Sequence, residues 1–186
     1  MTTDIVHLSR EQLEAGLEHM KAAPVDHGTL ALIVQRPAED VRVVLDEAEL
    51  NREEGLAGDN WRHRGSSRTA DGSSHPDMQL NLMNVRVLEQ IAGSAERMPL
   101  AGDQLIVDLD LSDANLPPWT KLAIGDAVIE VTDQPHEGCA KFSRRFGVEA
   151  HRFVNSPLGK ELHLRGVNAR VVTPGTIRQG DTIRKI

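Results

Sequence analysis

Residues 121–132, KLAIGDAVIEVT, decide the fold, because two short apolar runs flank the pair Gly125–Asp126. A two-residue hairpin turn favours glycine at its first central position, so this segment is predicted to form a β-hairpin. The alternation of strand and turn continues to the C-terminus, where VNARVV, TIRQ and TIRKI are separated by Pro174–Gly175 and Gly180–Asp181.

Further strands are predicted before this hairpin. GTLALIVQRP (28–37) and VRVVLDEAEL (41–50) are separated by a turn from Pro37 to Asp40 and indicate an antiparallel pair. Residues 83–91, MNVRVLEQI, fit either a strand or a short helix. In LIVDLDL (105–111) one face is apolar throughout and the other turns acidic, which is typical of a half-buried strand.

Two helices are indicated by local signals. Ser9 and Gln12 form a possible capping box, and apolar residues spaced three and four apart predict one amphipathic helix over residues 10–22. Phe142 and Phe146 lie one helical turn apart and predict a second helix, with a glycine after it as a suitable stop.

The length and the many short strands predict one principal domain. A chain of 186 residues, 39% hydrophobic and 26% charged, is typical of a globular protein. We expect a mainly β, irregular barrel-like domain over residues 28–186, with a helical extension over residues 1–27.

Composition excludes several classes of partner. Aromatic residues make up only 3% of the chain and the net charge is −7, which disfavours nucleic acid as a main partner. The longest apolar run is Leu30 to Val34, far short of the ~20 residues that span a bilayer, and the N-terminus MTTDIVHLSREQ has no signal-peptide core. A single cysteine excludes an internal disulfide and suits the reducing cytosol, so we expect a cytoplasmic protein.

Residues 51–79 have little periodicity and are rich in Gly, Ser, Asp, Asn and Arg. A loop of this length in a compact domain is usually functional or disordered. We therefore predict a site loop here that is mobile until a ligand supplies contacts.

Cys139 is the strongest candidate for chemistry. It ends the glycine-containing turn QPHEGC (134–139) and precedes the predicted helix, whose Lys141, Arg144 and Arg145 are cationic. A helix N-terminus and nearby cations both favour a thiolate. The alternative is that the lone cysteine is a small buried apolar residue.

Other candidates are weaker. His136 and Cys139 could share a metal ion, but one pair lacks the remaining ligands of a zinc site, and no zinc is expected. His63 and His75 could add ligands, but solvated loop histidines are the favoured interpretation. Arg62, His63, Arg64 and Arg68, with glycines around them, could meet an anionic ligand, or could belong to a solvated loop. Asp59 with Asn60, and Asp103 after Gly102, fit turns as well as site residues.

The order of these features resembles the MOSC domain, the C-terminal domain of molybdenum cofactor sulfurases, which also occurs as a free-standing protein. The matching segments are GLAGDNW (55–61), LAGDQLIVDLDL (100–111), the hairpin leading to QPHEGCAKF (121–142), and RGVNARVVTPGTIRQGDTI (165–183). Where many members have arginine and histidine after the first Gly–Asp, this chain has Asn60 and Trp61; where many have Gly–Glu–Asn, it has Gly102, Asp103 and Gln104.

The resemblance implies an irregular β-barrel and a functional cysteine at Cys139. That thiolate would ligate the molybdenum of a pterin cofactor or accept sulfur as a persulfide. Cofactor-binding candidates are the residues of the first Gly–Asp segment, the carboxylate before the central strand, and the polar residues around the cysteine: Asp59, Asn60, Arg62, Arg64, Asp103, His136, Lys141 and Arg144.

Three functions follow as hypotheses. The first is a molybdenum-cofactor-dependent redox enzyme acting on N-oxygenated small molecules, with an external reductase. The second is a sulfur or cofactor carrier without turnover, served by a cysteine desulfurase whose pyridoxal phosphate would belong to that partner. The third is a binding module with an inert cysteine.

Overall fold

The computed structural model describes residues 6–186. The helices are α1 (Arg10–Ala15), α2 (Leu17–Lys21), α3 (Trp61–Arg64), α4 (Val85–Ala92), α5 (Ala140–Phe146), α6 (Val148–Val154) and α7 (Pro157–Glu161), with 3₁₀ turns at Pro76–Met78 and Ala95–Ala101. The strands are β1 (Gly28–Gln35), β2 (Val43–Leu45), β3 (Glu47–Asn51), β4 (Gly55–Leu56), β5 (Leu80–Asn84), β6 (Leu105–Asp108), β7 (Lys121–Ile124), β8 (Ala127–Val131), β9 (Val167–Thr173), β10 (Gly175–Arg178) and β11 (Thr182–Lys185).

Seven strands form a closed barrel in the order β1-β11-β7-β8-β9-β5-β6, and β6 returns to β1. Only β5 and β6 pair in parallel; the other neighbours are antiparallel. Strand β2 adds to the sheet beside β1, and β10, β3 and β4 form a separate three-stranded sheet. The mainly β, barrel-like fold predicted from the sequence is confirmed.

Two apolar clusters explain why several strands are buried on both faces. One lies inside the barrel and contains Leu105 and Val107 of β6. The other lies between the barrel and the helices and contains Ile106 together with Phe142 and Phe153. Because successive side chains of a strand point to opposite faces, β6 supplies both clusters.

The hairpin predicted around Gly125–Asp126 is confirmed, with Ile124 opposite Ala127. The antiparallel pairing of residues 28–37 with 41–50 is confirmed for β1 and β2, but β3 leaves that sheet and pairs with β10. The ambiguous segment 83–91 contains both alternatives, since β5 ends at Asn84 and α4 begins at Val85.

Three details of the sequence interpretation are wrong. Residues 10–22 form two helices joined at Gly16, although the Ser9 capping box is present. Glycine is a poor helix former, and a Cβ there would lie 2.8 Å from Cδ of Gln90. The strand predicted over residues 105–111 ends at Asp108. It is buried on both faces rather than half-buried, because one face packs in the inner cluster and the other in the outer cluster. Residues 51–79 do not form one continuous loop, because β4 pairs with β3, and α3 and a 3₁₀ turn follow.

The N-terminal helices lie on the helical side of the barrel. Leu13 of α1 and Met20 of α2 are buried in the outer cluster with residues of α4 and α6. Residues 1–5 of the predicted extension lie outside the described residues. Among the helices in the described part of the chain, none is long and apolar enough to cross a membrane.

Candidate functional site

Cys139 lies at the N-cap of α5, and its side chain is exposed. Burial raises the pKa of this thiol, but the backbone N–H groups of Phe142 and Lys141 and the charge of Arg165 outweigh burial and lower it. The helix predicted after the QPHEGC turn is confirmed, ending at Gly147. The thiolate is therefore more accessible at this position than in an ordinary cysteine.

Cys139 opens onto a cavity of about 430 Å³. The cavity lies between segments that end or precede strands: Arg36 follows β1, Gly102 precedes β6, residues 133–139 follow β8, and Arg165 precedes β9. Its charged and polar lining residues are Arg36, Glu39, Asp40, Arg42, Asn60, Arg64, Asn81, His136, Glu137, Lys141, Arg145 and Arg165. Six cations and three carboxylates line the cavity, and two buried carboxylates behind it, Asp59 and Asp103, pair with Arg36 and Arg165. A small excess of positive charge therefore remains at this site in an acidic protein.

A buried cluster of three side chains, Asp103, His136 and Arg165, forms one wall of the Cys139 cavity. Nη1 of Arg165 donates to Oδ1 and Oδ2 of Asp103 at 2.8 and 2.7 Å, and Nε2 of His136 lies 2.7 Å from Oδ1. Burial raises the pKa of Asp103, but Arg165 and His136 outweigh it and lower this pKa to about 2. Cζ of Arg165 also lies 4.9 Å from the centre of the Phe142 ring, which joins this wall to α5.

A second buried pair holds Arg36. Its guanidinium donates to both carboxylate oxygens of Asp59, at 2.9 and 2.8 Å, and to Asn81 and the Gly102 carbonyl. Asp59 also accepts from the backbone N–H of Trp61 at 2.9 Å. Asp59 therefore holds both Arg36, a cation of the cavity, and the first residue of α3.

The remaining cations are less completely paired. Lys141 bonds to Glu39 and Arg145 bonds to Asp40 at the rim. Burial and the charges of Arg145 and Arg36 lower the pKa of Arg42. Within residues 6–186, Nε of Arg42, Nε of Arg165 and Oδ1 of Asn60 are buried without a hydrogen-bond partner.

Most residues predicted for the site converge here. Cys139, Asn60, Arg64, His136 and Lys141 line the cavity. Asp59 and Asp103 are buried behind it, where each holds an arginine.

Two predicted cofactor-binding arginines do not reach the cavity lining. Arg62 is directed to Glu53, at 3.6 Å, and Arg144 is exposed on α5. His63 is also exposed, and Nδ1 of His75 accepts from the backbone N–H of Asp77.

Sequence reasoning missed Arg36, Arg42 and Arg165 as site residues and named Arg145 only as a neighbour of the cysteine. Lys141 and Arg145 are four residues apart, a spacing that places both on one helix face and favours Arg145 over Arg144. The other three arginines carry no comparable local signal, because they come from distant segments.

Within residues 6–186, no three His, Cys, Asp or Glu side chains are arranged to hold a metal ion. The site residue that suits a soft metal is the thiolate of Cys139.

The chain belongs to the MOSC domain family. The family model for the MOSC domain matches residues 70–184, which is more than half of the chain and includes Cys139 and the Asp103–Arg165 wall. No curated protein sequence matches the chain.

Solved structures share the fold. The YUAD protein from Bacillus subtilis is similar with a TM-score of 0.63 and 15% identity, over 84% of this chain and 93% of that one. YiiM from Escherichia coli is similar with a TM-score of 0.53 and 22% identity, over 85% of this chain and 69% of that one. YiiM from Geobacillus stearothermophilus has a TM-score of 0.51 and 15% identity, over 88% and 74% of the two chains.

Proposed function

We propose that this protein binds a molybdenum–pterin cofactor in the Cys139 cavity, with the Cys139 thiolate as the ligand of the metal. We further propose that it is a redox enzyme that acts on N-oxygenated small molecules and receives electrons from a separate reductase. The observation that carries the proposal is the thiolate-favouring N-cap position of Cys139 at the edge of a cation-lined cavity. Membership of the MOSC domain family supports a general association with this cofactor.

The residues present fit such a group. A thiolate is a soft ligand and suits molybdenum. Clustered cations favour the phosphate of a pterin cofactor, because an anion relieves the mutual repulsion that Arg42, Arg145 and Arg36 experience.

The bound cofactor would supply two-electron redox chemistry. Cys139 would hold the metal, and Arg42, Arg64 and Lys141 would hold the anionic part of the pterin. Asp59 keeps Arg36 in place, and Asp103 keeps Arg165 and His136 in place. The protein therefore contributes binding and orientation, through groups whose own positions are fixed by buried ion pairs.

Metal analysis tests the Cys139 assignment. Protein purified from a host that makes the cofactor should contain close to one molybdenum per chain, and Cys139→Ala should contain almost none. Arg62→Ala is the matched control, because Arg62 lies outside the cavity lining, and it should retain the metal. Equal molybdenum in the wild type and Cys139→Ala would contradict the assignment.

The exposure of Cys139 favours a second candidate, a persulfide carrier without turnover. Incubation with a cysteine desulfurase and free cysteine would then add the mass of one sulfur atom to Cys139. A reductase assay distinguishes the two candidates, because a carrier would not reduce an N-oxygenated compound when it is given an electron donor.

The inert-cysteine alternative is tested by alkylation. Because the pKa of Cys139 is lowered, its thiol should react with iodoacetamide at pH 6.5 faster than glutathione does, as followed by mass spectrometry of the intact protein. A rate at or below that of glutathione would support the binding module with an inert cysteine.

A further inference from the structure

His136 is held in one tautomer by the groups behind it. Asp103 is fully buried and ionised, because its pKa is lowered to about 2. An ionised carboxylate only accepts hydrogen bonds, so Nε2 of His136 must donate its proton to Oδ1 across the 2.7 Å contact.

The other ring nitrogen is consequently the acceptor of a neutral imidazole. Burial and the charge of Arg165 lower the pKa of His136 and favour the neutral form. Within the described residues, Nδ1 has no hydrogen-bond partner, while the ring lines the same cavity as Cys139. The neutral ring therefore keeps an unused lone pair on Nδ1, and the ring lines both the Cys139 cavity and the neighbouring cavity of about 240 Å³.

The cations that line the cavity cannot accept a hydrogen bond. Arginine and lysine side chains only donate hydrogen bonds. The three lining carboxylates are paired with cations, Glu39 with Lys141, Asp40 with Arg145 and Glu137 with Lys160. Oδ1 of Asn81 accepts from Arg36, and Oδ1 of Asn60 is buried without a partner among the described residues.

We propose that His136 is a specificity-determining residue whose Nδ1 accepts a hydrogen bond from the ligand in the Cys139 cavity. The cations attract negative charge, and His136 selects among ligands of equal charge those that also carry an O–H or N–H donor. A ligand without such a donor leaves Nδ1 unpaired and facing an anion, which is unfavourable. The inference concerns the cavity itself and holds whether or not the cavity contains molybdenum.

Phosphate and sulfate provide a matched pair of probes. At pH 8 both are mainly dianions of similar size, and only hydrogenphosphate retains an O–H donor. In the full chain produced without cofactor, occupancy of the cavity is followed as protection of Cys139 from iodoacetamide. Phosphate should protect at about tenfold lower concentration than sulfate, as expected for one hydrogen bond to a charged ligand. Equal protection, or stronger protection by sulfate, would overturn the proposal.

Two variants separate selection from simple charge attraction. In His136→Lys the ammonium group can still donate to Asp103 but offers no acceptor, so the preference for phosphate should fall to near unity. Lys141→Gln is the control, because it removes a cation that attracts both anions and should weaken both without changing their ratio. An unchanged ratio in His136→Lys would contradict the role of His136.

Nitrogen NMR of the wild type gives a readout that needs no variant. Nδ1 of His136 should give the signal of an unprotonated ring nitrogen, and that signal should shift with phosphate more than with sulfate at equal occupancy. A protonated Nδ1 in the free protein would overturn the proposal even if the His136 variant failed to fold.

Discussion

At the scale of single residues, Asp103 organises the candidate site although its side chain is wholly buried. It accepts hydrogen bonds from Arg165 and His136, and both of those side chains line the Cys139 cavity. Removal of one partner from a buried ion pair leaves the other charge uncompensated. Asp103 therefore contributes to the stability of the protein and to the shape of the cavity together.

Asp103→Asn should lower the free energy of unfolding by about 3–5 kcal/mol, because Arg165 would remain buried without its counter-ion. Urea unfolding followed by circular dichroism measures the change. Asp133→Asn is a suitable control, since Asp133 is exposed and should change stability by less than about 0.5 kcal/mol. A loss below about 1 kcal/mol in Asp103→Asn would show that the buried pair is dispensable.

The acid dependence of stability should carry the signature of the same carboxyl. The folded-state pKa of Asp103 is about 2, whereas an unfolded aspartate has a pKa near 4. A lowered folded-state pKa stabilises the folded protein above pH 4, and this contribution of about 2 kcal/mol is lost as the pH falls toward 2. Unfolding free energies of Asp103→Asn should accordingly fall less steeply than those of the wild type between pH 4 and 2.

At the scale of secondary-structure elements, the segment from Gly58 to Pro76 connects the small sheet to the barrel and carries α3. Helix α3 has only four residues, and Asp59 holds its first residue by accepting from the Trp61 N–H. Backbone hydrogen bonds after the helix are few, such as Ser66 N–H to the Gly72 carbonyl at 3.2 Å. Arg64, at the end of α3, is the arginine of this helix that lines the cavity. We therefore expect a ligand that binds Arg64 to add to the order of this segment.

Amide hydrogen exchange in residues 58–76 should be fast in the cofactor-free protein and slow when the phosphate-bearing cofactor binds. Charge-assisted hydrogen bonds from Arg64 are strong enough to order a marginal segment. Arg64→Ala should reduce this protection and weaken cofactor binding, while Arg62→Ala should not, because Arg62 is directed to Glu53. Full protection without cofactor, or equal behaviour of the two variants, would show that the loop is structural.

At the scale of the whole molecule, the last strand closes the barrel. β11 pairs with β1 on one side and β7 on the other, and Ile183 is wholly buried in the inner cluster. Closure leaves β1 and β7 without an open edge, which is how barrels satisfy their backbone groups. The fold therefore depends on residues at the end of the chain.

Deletion of residues 182–186 should unfold the protein, because the lost burial and pairing approach the 5–15 kcal/mol that stabilises a typical domain. Deletion of Ile186 alone should be tolerated, since that side chain is 60% exposed. Thermal melts by circular dichroism and the dispersion of proton NMR signals distinguish the two cases. A cooperative transition in the longer deletion would show that the barrel does not need β11.

Elements set by local interactions could be predicted from the sequence. The hairpin at Gly125–Asp126 and the helix after Cys139 follow from turn chemistry and from the spacing of apolar residues. The placement of Cys139 at a helix N-cap was predictable for the same reason, since the QPHEGC turn directly precedes the helix.

The tertiary structure alone decided how the cavity is assembled. Arg36, Asp103, His136 and Arg165 come from four distant segments, and only closure of the barrel brings them together. It also decided that Arg64 lines the cavity and Arg62 does not. The N-terminal segment forms two helices that meet at Gly16, where the Gln90 side chain leaves no room for a Cβ. Periodicity and turn residues encode contacts between near neighbours, whereas buried ion pairs across strands depend on register and packing that no short stretch of sequence contains.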